Sequence, residues 1–518
     1  MSQVPIYIGK QLQNSKEKGV AGNYVQFDGE SYYQISNYDE MQDFFMSLVS
    51  DSNHWFFISS KGGLTAGRVN SSNALFPYYS DDKINDGSSH TGNKTIALVS
   101  KDEKKFLWEP FSTINVGIYN ISRNLYKNIY GDKLIFEEIN HDLDLTFQYT
   151  WRTSDKFGFI KTSKLKNSCT IDVKVEIVDG IENILPYGVN PDVQNSLSCL
   201  VDAYKKNELQ TDCGLGIYTM SSILVDRAEP SEALSATAVW SIGLPKSQKL
   251  ISSIQLDEFR KGNAIKQETD IRGRRGAYFI YDTLTLTSNS KKEWSIVSDI
   301  NLGPAAIKNL IGKLNNESNL IEEVESDIRT GSLNLARIVG TADGIQVTED
   351  KLSANHHFSN VLFNVMRGGL FIDNYKVLKS DLILFIKRFN INLYNQNEKF
   401  FSALEDSLHY SELIKQSKEE NNADLQRLCF EYLPLSFSRR HGDPSRPWNK
   451  FSINVKQNDG SQLLDFEGNW RDIFQNWEAL SFSIPNYIES MICKFVNATT
   501  ADGYNPYRIT RDGIDWEK

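Results

Sequence analysis

The sequence predicts a multidomain β + α chain: an N-terminal antiparallel β-sandwich over residues 1–303, a helical linker over 304–345, and a helical region over 346–518. Three observations predict it. Up to about Gly303, short runs of aromatic and β-branched residues alternate with Gly, Asn, Asp and Ser turns, and several keep the period of two that marks half-buried antiparallel strands. From Pro304 onward, apolar residues recur at three- and four-residue steps instead. At 518 residues the chain is also too long for one ordinary hydrophobic core.

The strand candidates are residues 32–36, 55–59, 145–151, 171–177, 236–241 and 278–286. Many strands at short spacing point to a large sandwich. Lys61-Gly-Gly-Leu-Thr-Ala-Gly67 loosely resembles a phosphate loop, yet it lacks the GK[ST] ending and follows strands, so a hairpin turn is the better reading. Arg272-Gly-Arg-Arg275 precedes a strand and reads as a solvated edge. Pro304 suits a first helical turn, and Ile307, Leu310, Ile311, Leu314, Leu320, Ile321, Val324 and Ile328 fill one or two linker helices ending near Gly331. Beyond residue 350, Ser353 can cap a helix that Gly368-Gly369 ends, and Ser380 can cap another. Residues 398–419 form a further helix, and Pro485 opens one whose stripe is Ile488, Met491, Ile492, Phe495 and Val496. Repeated helices of this kind suggest an α/α toroid or bundle.

Net charge is −10 and the isoelectric point about 5.4, which argues against nucleic acid or an anionic membrane as the main partner. The five cysteines are scattered and no CxxC pair occurs, so neither a disulfide framework nor a zinc site is signalled. No signal-peptide layout opens the chain and no run long enough to span a membrane occurs, so a cytoplasmic setting is expected. HExxH, GxSxG and GxGxxG are absent. His356-His357 are adjacent and cannot ligate one metal from a single helix face, so no metal is expected.

Arginine, carboxylate, amide and tryptophan concentrate in three late stretches: 438–448, 468–478 and 502–517. Such a mixture suits a pocket for polyhydroxylated or phosphorylated molecules, because amides and carboxylates hold hydroxyls, Arg forks hold oxyanions, and indoles cover apolar ring faces. With 470–480 as a helix, Arg471, Gln475 and Glu478 share one face at i, i+4 and i+7, extended by Asp472 and Asn476 and flanked by Trp470 and Trp477. A solvated face with an i, i+4 pair accounts for the same pattern. Arg439, Arg440, His441 and Arg446 form a basic, proline-stiffened loop that suits phosphate equally with a structural role beside Asp443 or Glu431. Tyr504, Asn505, Arg508, Arg511, Asp515 and Trp516 carry the same two readings.

Taken with the order sandwich, linker, helices, two segments resemble the inverting glycoside phosphorylases of the cellobiose phosphorylase and β-1,3-oligoglucan phosphorylase type. One is Trp55-Phe-Phe-Ile-Ser-Ser-Lys-Gly-Gly-Leu-Thr65 with Asn73-Ala-Leu-Phe-Pro-Tyr78; the other is Trp470-Arg-Asp-Ile-Phe-Gln-Asn476, similar to that family's R-D-x-x-Q-D signature. Asn476 stands where the family has its last aspartate. The resemblance implies that 346–518 is the first part of an (α/α)6 barrel, and that Arg471 and Asp472 hold hydroxyls of the transferred glucosyl unit. It implies inorganic phosphate as co-substrate, no cofactor, and a homodimer. Phosphate would attack the anomeric carbon while one aspartic acid protonates the leaving oxygen. In such enzymes that aspartate comes later in the barrel, so the chain is expected to be the N-terminal portion of a longer enzyme, or a truncated product, without its general acid. Asp512 and Asp515 are the late loop aspartates that could stand in, and neither is expected to. A glycoside hydrolase of related layout and a non-catalytic oligosaccharide-binding protein are the alternatives.

Overall fold

The computed structural model describes residues 5–13, 18–101, 103–114, 116–222, 224, 233–316, 319–371, 373–438, 452–457 and 460–516. The chain divides into two compact units, one built from residues 1–332 with 444–447, the other from 333–443 and 448–518.

The first unit is an antiparallel sandwich. Its larger sheet has 11 strands in the order Asp270–Arg272, Lys205–Gln210, Leu215–Met220, Ala236–Ile242, Lys291–Leu302, Gly158–Asn167, Leu145–Ser154, Leu134–Asn140, Ile121–Asn128, Glu30–Ser36 and Ala21–Phe27. The facing sheet has five: Lys104–Trp108, Gly92–Lys101, Val173–Ile184, Gly276–Leu286 and Gln248–Leu250. The predicted period of two decides what faces what. In Leu145–Ser154 the residues Leu145, Phe147, Tyr149 and Trp151 are buried, while Thr146, Gln148, Thr150 and Arg152 turn the other way. The inward set packs with Phe136, Val175, Ile177, Tyr278 and Ile280 in one core, where Phe136 and Tyr149 stack at 4.8 Å. Asp270–Arg272 is one of the larger sheet's two edge strands, and its Arg272 pairs with Asp270 at 3.1 Å in solvent. Lys61 to Gly63 form the turn between His54–Ser59 and Leu64–Arg68, a hairpin as read from the sequence.

A fully buried ion pair lies inside this apolar core. Lys161 Nζ stands 2.6 Å from Asp179 Oδ1, and both side chains are fully buried. Asp179 also accepts from Thr95, Ser163 and Trp294 at 2.6, 2.8 and 2.8 Å. Burial lowers the Lys161 pKa and the Asp179 carboxylate opposes that shift.

Two helices follow, Pro304–Asn316 and Leu320–Thr341. Leu320, Val324 and Ile328 pack on Ile160, Trp240 and Val297, covering part of the outer face of the large sheet. The second helix does not end near Gly331 as expected. Packing of its apolar side outweighs the cost of about 1 kcal/mol that a helical glycine carries.

The second unit is mainly helical, with Lys351–Gly368, Lys379–Phe389, Ile391–Gln396, Glu398–Ala403, Tyr410–Glu419, Ala423–Glu431, Trp470–Ser483 and Ile488–Ala498. Asp350, not Ser353, caps the first of these, accepting from the N–H groups of Leu352 and Ser353. Gly369, at φ +81°, ends it by donating to Val365 O. No side chain caps the helix beginning at Lys379, so Ser380 is not a cap. The single helix expected over 398–419 is two, because Ser407–His409 pairs with Lys376–Leu378 and breaks it. Pro485 opens a 3-10 turn that leads into Ile488–Ala498. The apolar stripe of that helix is split: Met491 and Phe495 are buried, while Ile488, Ile492 and Val496 are exposed. Large antiparallel sheets joined to many helices therefore make this a multidomain β + α protein. Among the described residues no helix is long and apolar enough to cross a membrane.

Candidate functional site

The helix Trp470–Ser483 presents Arg471, Asp472, Gln475 and Glu478 to solvent, as its spacing predicts. Phe482, 84% exposed, continues the row one turn beyond Glu478. Asn476 does not join it. It is buried and donates to Asn364 Oδ1 at 2.8 Å on the helix Lys351–Gly368. Trp477 is buried beside it, with Nε1 donating to Gly368 O at 2.8 Å and its ring edge-on to Phe466 and Phe495. Glycine at 368 is what lets the two helices come so close, since a Cβ there would meet Asn476 Cβ at 2.9 Å and Trp477 Cδ1 at 3.1 Å. Trp470 is half-buried and packs edge-on to Phe495 at 4.8 Å. The two tryptophans therefore anchor the helix rather than flank a pocket.

The last stretch folds into a three-stranded sheet of Glu467–Asn469, Arg508–Thr510 and Gly513–Asp515. Arg508 is held there between Glu467 at 2.5 Å and Asp515, whose Oδ2 accepts from Nε at 2.7 Å. Asn505 accepts from Thr499 at 3.0 Å, and Tyr504 is exposed. Arg439, Arg440, His441 and Arg446 lie outside the described residues.

A cleft of about 900 Å³ opens elsewhere in the second unit, lined from four separate stretches of chain. Asp381 lines it, accepting from Tyr432 Oη at 2.6 Å and from Arg511 Nη2 at 2.5 Å. Arg511 also donates to Leu464 O, and Arg388 pairs with Asp512 at 3.0 Å. Gln457, Gln462 and Asn454 supply amides, and Leu384 and Phe385 supply apolar cover. Carboxylates, guanidinium groups and amides beside an aromatic wall can hold the hydroxyls of a sugar and cover its apolar face.

Asp465, in the same cleft, has its pKa raised from 3.8 to about 6. Burial is the main cause and the Asp512 carboxylate adds to it, while the Phe466 N–H and Arg511 work the other way. The folded state thus holds this proton more tightly than the unfolded chain. Protonation stabilises the fold at low pH, and that contribution disappears as pH rises from about 4 through about 6. Asp465→Asn is expected to be more stable than the native chain at pH 7, with the difference vanishing near pH 4. Urea unfolding across that range measures it, and a difference independent of pH would refute the assignment.

Asp381, Arg388, Tyr432 and Asp465 are not legible in sequence as site residues, because no motif joins positions so far apart. Only Arg511 and Asp512 stood out, as members of a dense late cluster.

Residues 371–434 match the family model described as Glycoside hydrolase family 149 insertion domain 1. This stretch leaves and returns at one place in the fold, where Phe371 pairs with Leu435 and Leu370 with Ser436. No curated protein sequence matches the chain. Among solved structures, a polysaccharide lyase aligns at 10% identity and TM-score 0.32, over 53% of this chain and 34% of that one. A bacterial glucoamylase complexed with acarbose aligns at 11% identity and TM-score 0.32, over 93% of this chain and 68% of its own. A putative kojibiose phosphorylase from human microbiome aligns at 8% identity and TM-score 0.31, over 88% and 56%. The chain thus spans about a third of the lyase's length, and likenesses at these scores carry no weight for function.

Proposed function

We propose that the chain is a carbohydrate-active protein that recognises β-linked gluco-oligosaccharides for phosphorolysis to glucose 1-phosphate. The observation that carries the reading is the match of 371–434 to an insertion domain of family 149, which includes β-1,3-oligoglucan phosphorylases. In this reading the helical unit is part of an (α/α)6 barrel, and the exposed row Arg471, Asp472, Gln475 and Glu478 holds sugar hydroxyls with Phe482 as an apolar platform. Arg439, Arg440, His441 and Arg446 are assigned to phosphate on charge alone. Asp512 and Asp515 are each engaged by an arginine, so neither is assigned the general acid.

The test is incubation with inorganic phosphate and laminari- or cello-oligosaccharides, following glucose 1-phosphate alongside binding. Saturable binding with phosphate-dependent release of glucose 1-phosphate is expected, and absence of saturable binding would overturn the reading. Because Arg471 is exposed, Arg471→Ala should weaken binding about tenfold or more with an unchanged melting temperature. Unaltered affinity would remove Arg471 from the site.

One observation favours a second reading, a hydrolase. Asp465, with its pKa raised to about 6, lies in a cleft that also holds Asp381 and Asp512, and an inverting hydrolase needs one acid and one base. Phosphate-independent cleavage abolished by Asp465→Asn would establish it.

A further inference from the structure

The sandwich carries a second cavity, of about 430 Å³, on the outer face of its large sheet beside the helix Leu320–Thr341. Its floor comes from side chains that turn away from the core: Gln148 and Thr150 on one strand, Thr162 on the next, and Ser295 on the one after. These are hydroxyls and an amide, with Ile135 among them. Phe27 and Tyr32 form an aromatic wall, their rings 6.1 Å apart.

The charges around these groups balance in number, and Arg152 Nη2 also donates to Thr162 Oγ1 at 2.7 Å. Lys133 pairs with Glu30 at 2.5 Å, Arg152 with Glu325 at 2.7 Å, and Lys164 with Glu293 at 3.3 Å. Asp28 and Arg329 complete the rim, giving four carboxylates against four cations. A site selected for phosphate or a carboxylate would leave an unpaired cation facing its floor. Here Lys133, Arg152 and Lys164 each face a carboxylate, so an ionic ligand would have to compete with those pairs in a hollow whose lining charges balance. Hydrogen-bonding groups opposite an aromatic wall fit a molecule with hydroxyls on its edges and C–H groups on one face. The volume falls within the range of small-molecule pockets, at its lower end.

We propose that this hollow on the sandwich is a binding site for a neutral monosaccharide unit, either a free hexose or the end of a neutral glycan. It is independent of the cleft around Asp381 and of the exposed row at Arg471, which belong to the other unit.

Saturation-transfer NMR on the full chain tests it with methyl β-D-glucoside, methyl β-D-galactoside and D-glucuronate as probes. Saturable transfer to at least one neutral glycoside is expected, with glucuronate weaker by about tenfold, as an uncompensated buried charge requires. Thr150→Trp, an aromatic placed on a strand that tolerates one, fills the hollow and should abolish the signal with the circular dichroism spectrum and melting temperature retained. Thr150→Val keeps the size, removes the hydroxyl, and should weaken binding by about threefold to tenfold if Thr150 touches the sugar. The measurements are made on the chain carrying Arg471→Ala, which removes transfer from the proposed oligosaccharide site, so that the remaining signal reports this hollow. Absence of saturable transfer from both neutral probes, a preference for glucuronate, or a signal untouched by Thr150→Trp would each overturn the proposal.

Discussion

Asp179→Ala is expected to lower the stability of the sandwich by about 3–5 kcal/mol, the range for breaking a buried ion pair from one side. Removing this carboxylate takes an acceptor from four donors at once: Lys161, Thr95, Ser163 and Trp294, of which Thr95 keeps only Asn93 Oδ1 at 3.3 Å. Lys161 cannot turn to water, being fully buried, and retains only Gly180 O at 3.2 Å. Its ammonium must lose a proton or draw water between the sheets, and either route costs free energy. Urea unfolding at neutral pH measures the loss, and a change below about 1 kcal/mol would mean that the core relaxes around the site. Lys161→Met combined with Asp179→Leu removes both charges together. That double variant should recover most of the loss, because replacing a whole buried pair by apolar groups is often neutral or stabilising. Failure of the double variant to recover would point instead to the Thr95, Ser163 and Trp294 hydrogen bonds as the main contribution.

The same site shows why the fold was more legible in sequence than the chemistry. Leu145, Phe147, Tyr149 and Trp151 announce a strand and its buried face through their period alone. Asp179 lies in a similar strand with nothing local to show that its partners come from three other strands. Helices were legible where apolar steps persisted, but capping was decided by atoms the pattern does not specify, as when Asp350 captured the N–H of Ser353. On the helix Trp470–Ser483 the 3.6-residue period correctly grouped Arg471, Gln475 and Glu478, and it misplaced Asn476, which lies at the border between exposed and packed faces. The cleft around Asp381 illustrates the limit most clearly. Its members lie between positions 373 and 512, and only folding brings Tyr432 and Arg511 onto the same carboxylate.

Trp477→Ala is the second change expected to have a large effect, about 3–5 kcal/mol on the helical unit, as for other buried aromatics truncated to alanine. The indole is 1% exposed, contacts Phe466 and Phe495 edge-on, and fills the gap that Gly368 leaves between two helices. Truncation removes that volume and also leaves Gly368 O without its indole donor. The close approach at Gly368 prevents either helix from collapsing freely into the space, because Asn476 already touches it from the other side. Trp477→Phe separates the two contributions: most of the volume stays while the hydrogen bond is lost, so about 1–3 kcal/mol is expected. Thermal and urea unfolding of both variants provide the comparison, and a Phe variant as damaging as Ala would place the whole effect on the hydrogen bond. The consequence for recognition follows from geometry. Arg471 and Gln475 owe their common exposed face to a helix that Trp477 holds in place, so Trp477→Ala should weaken oligosaccharide binding through loss of folded protein. At temperatures where the variant remains folded, its affinity should return toward the native value. Arg471→Ala should lose affinity at every temperature, and this contrast distinguishes a group that holds the sugar from one that holds the helix.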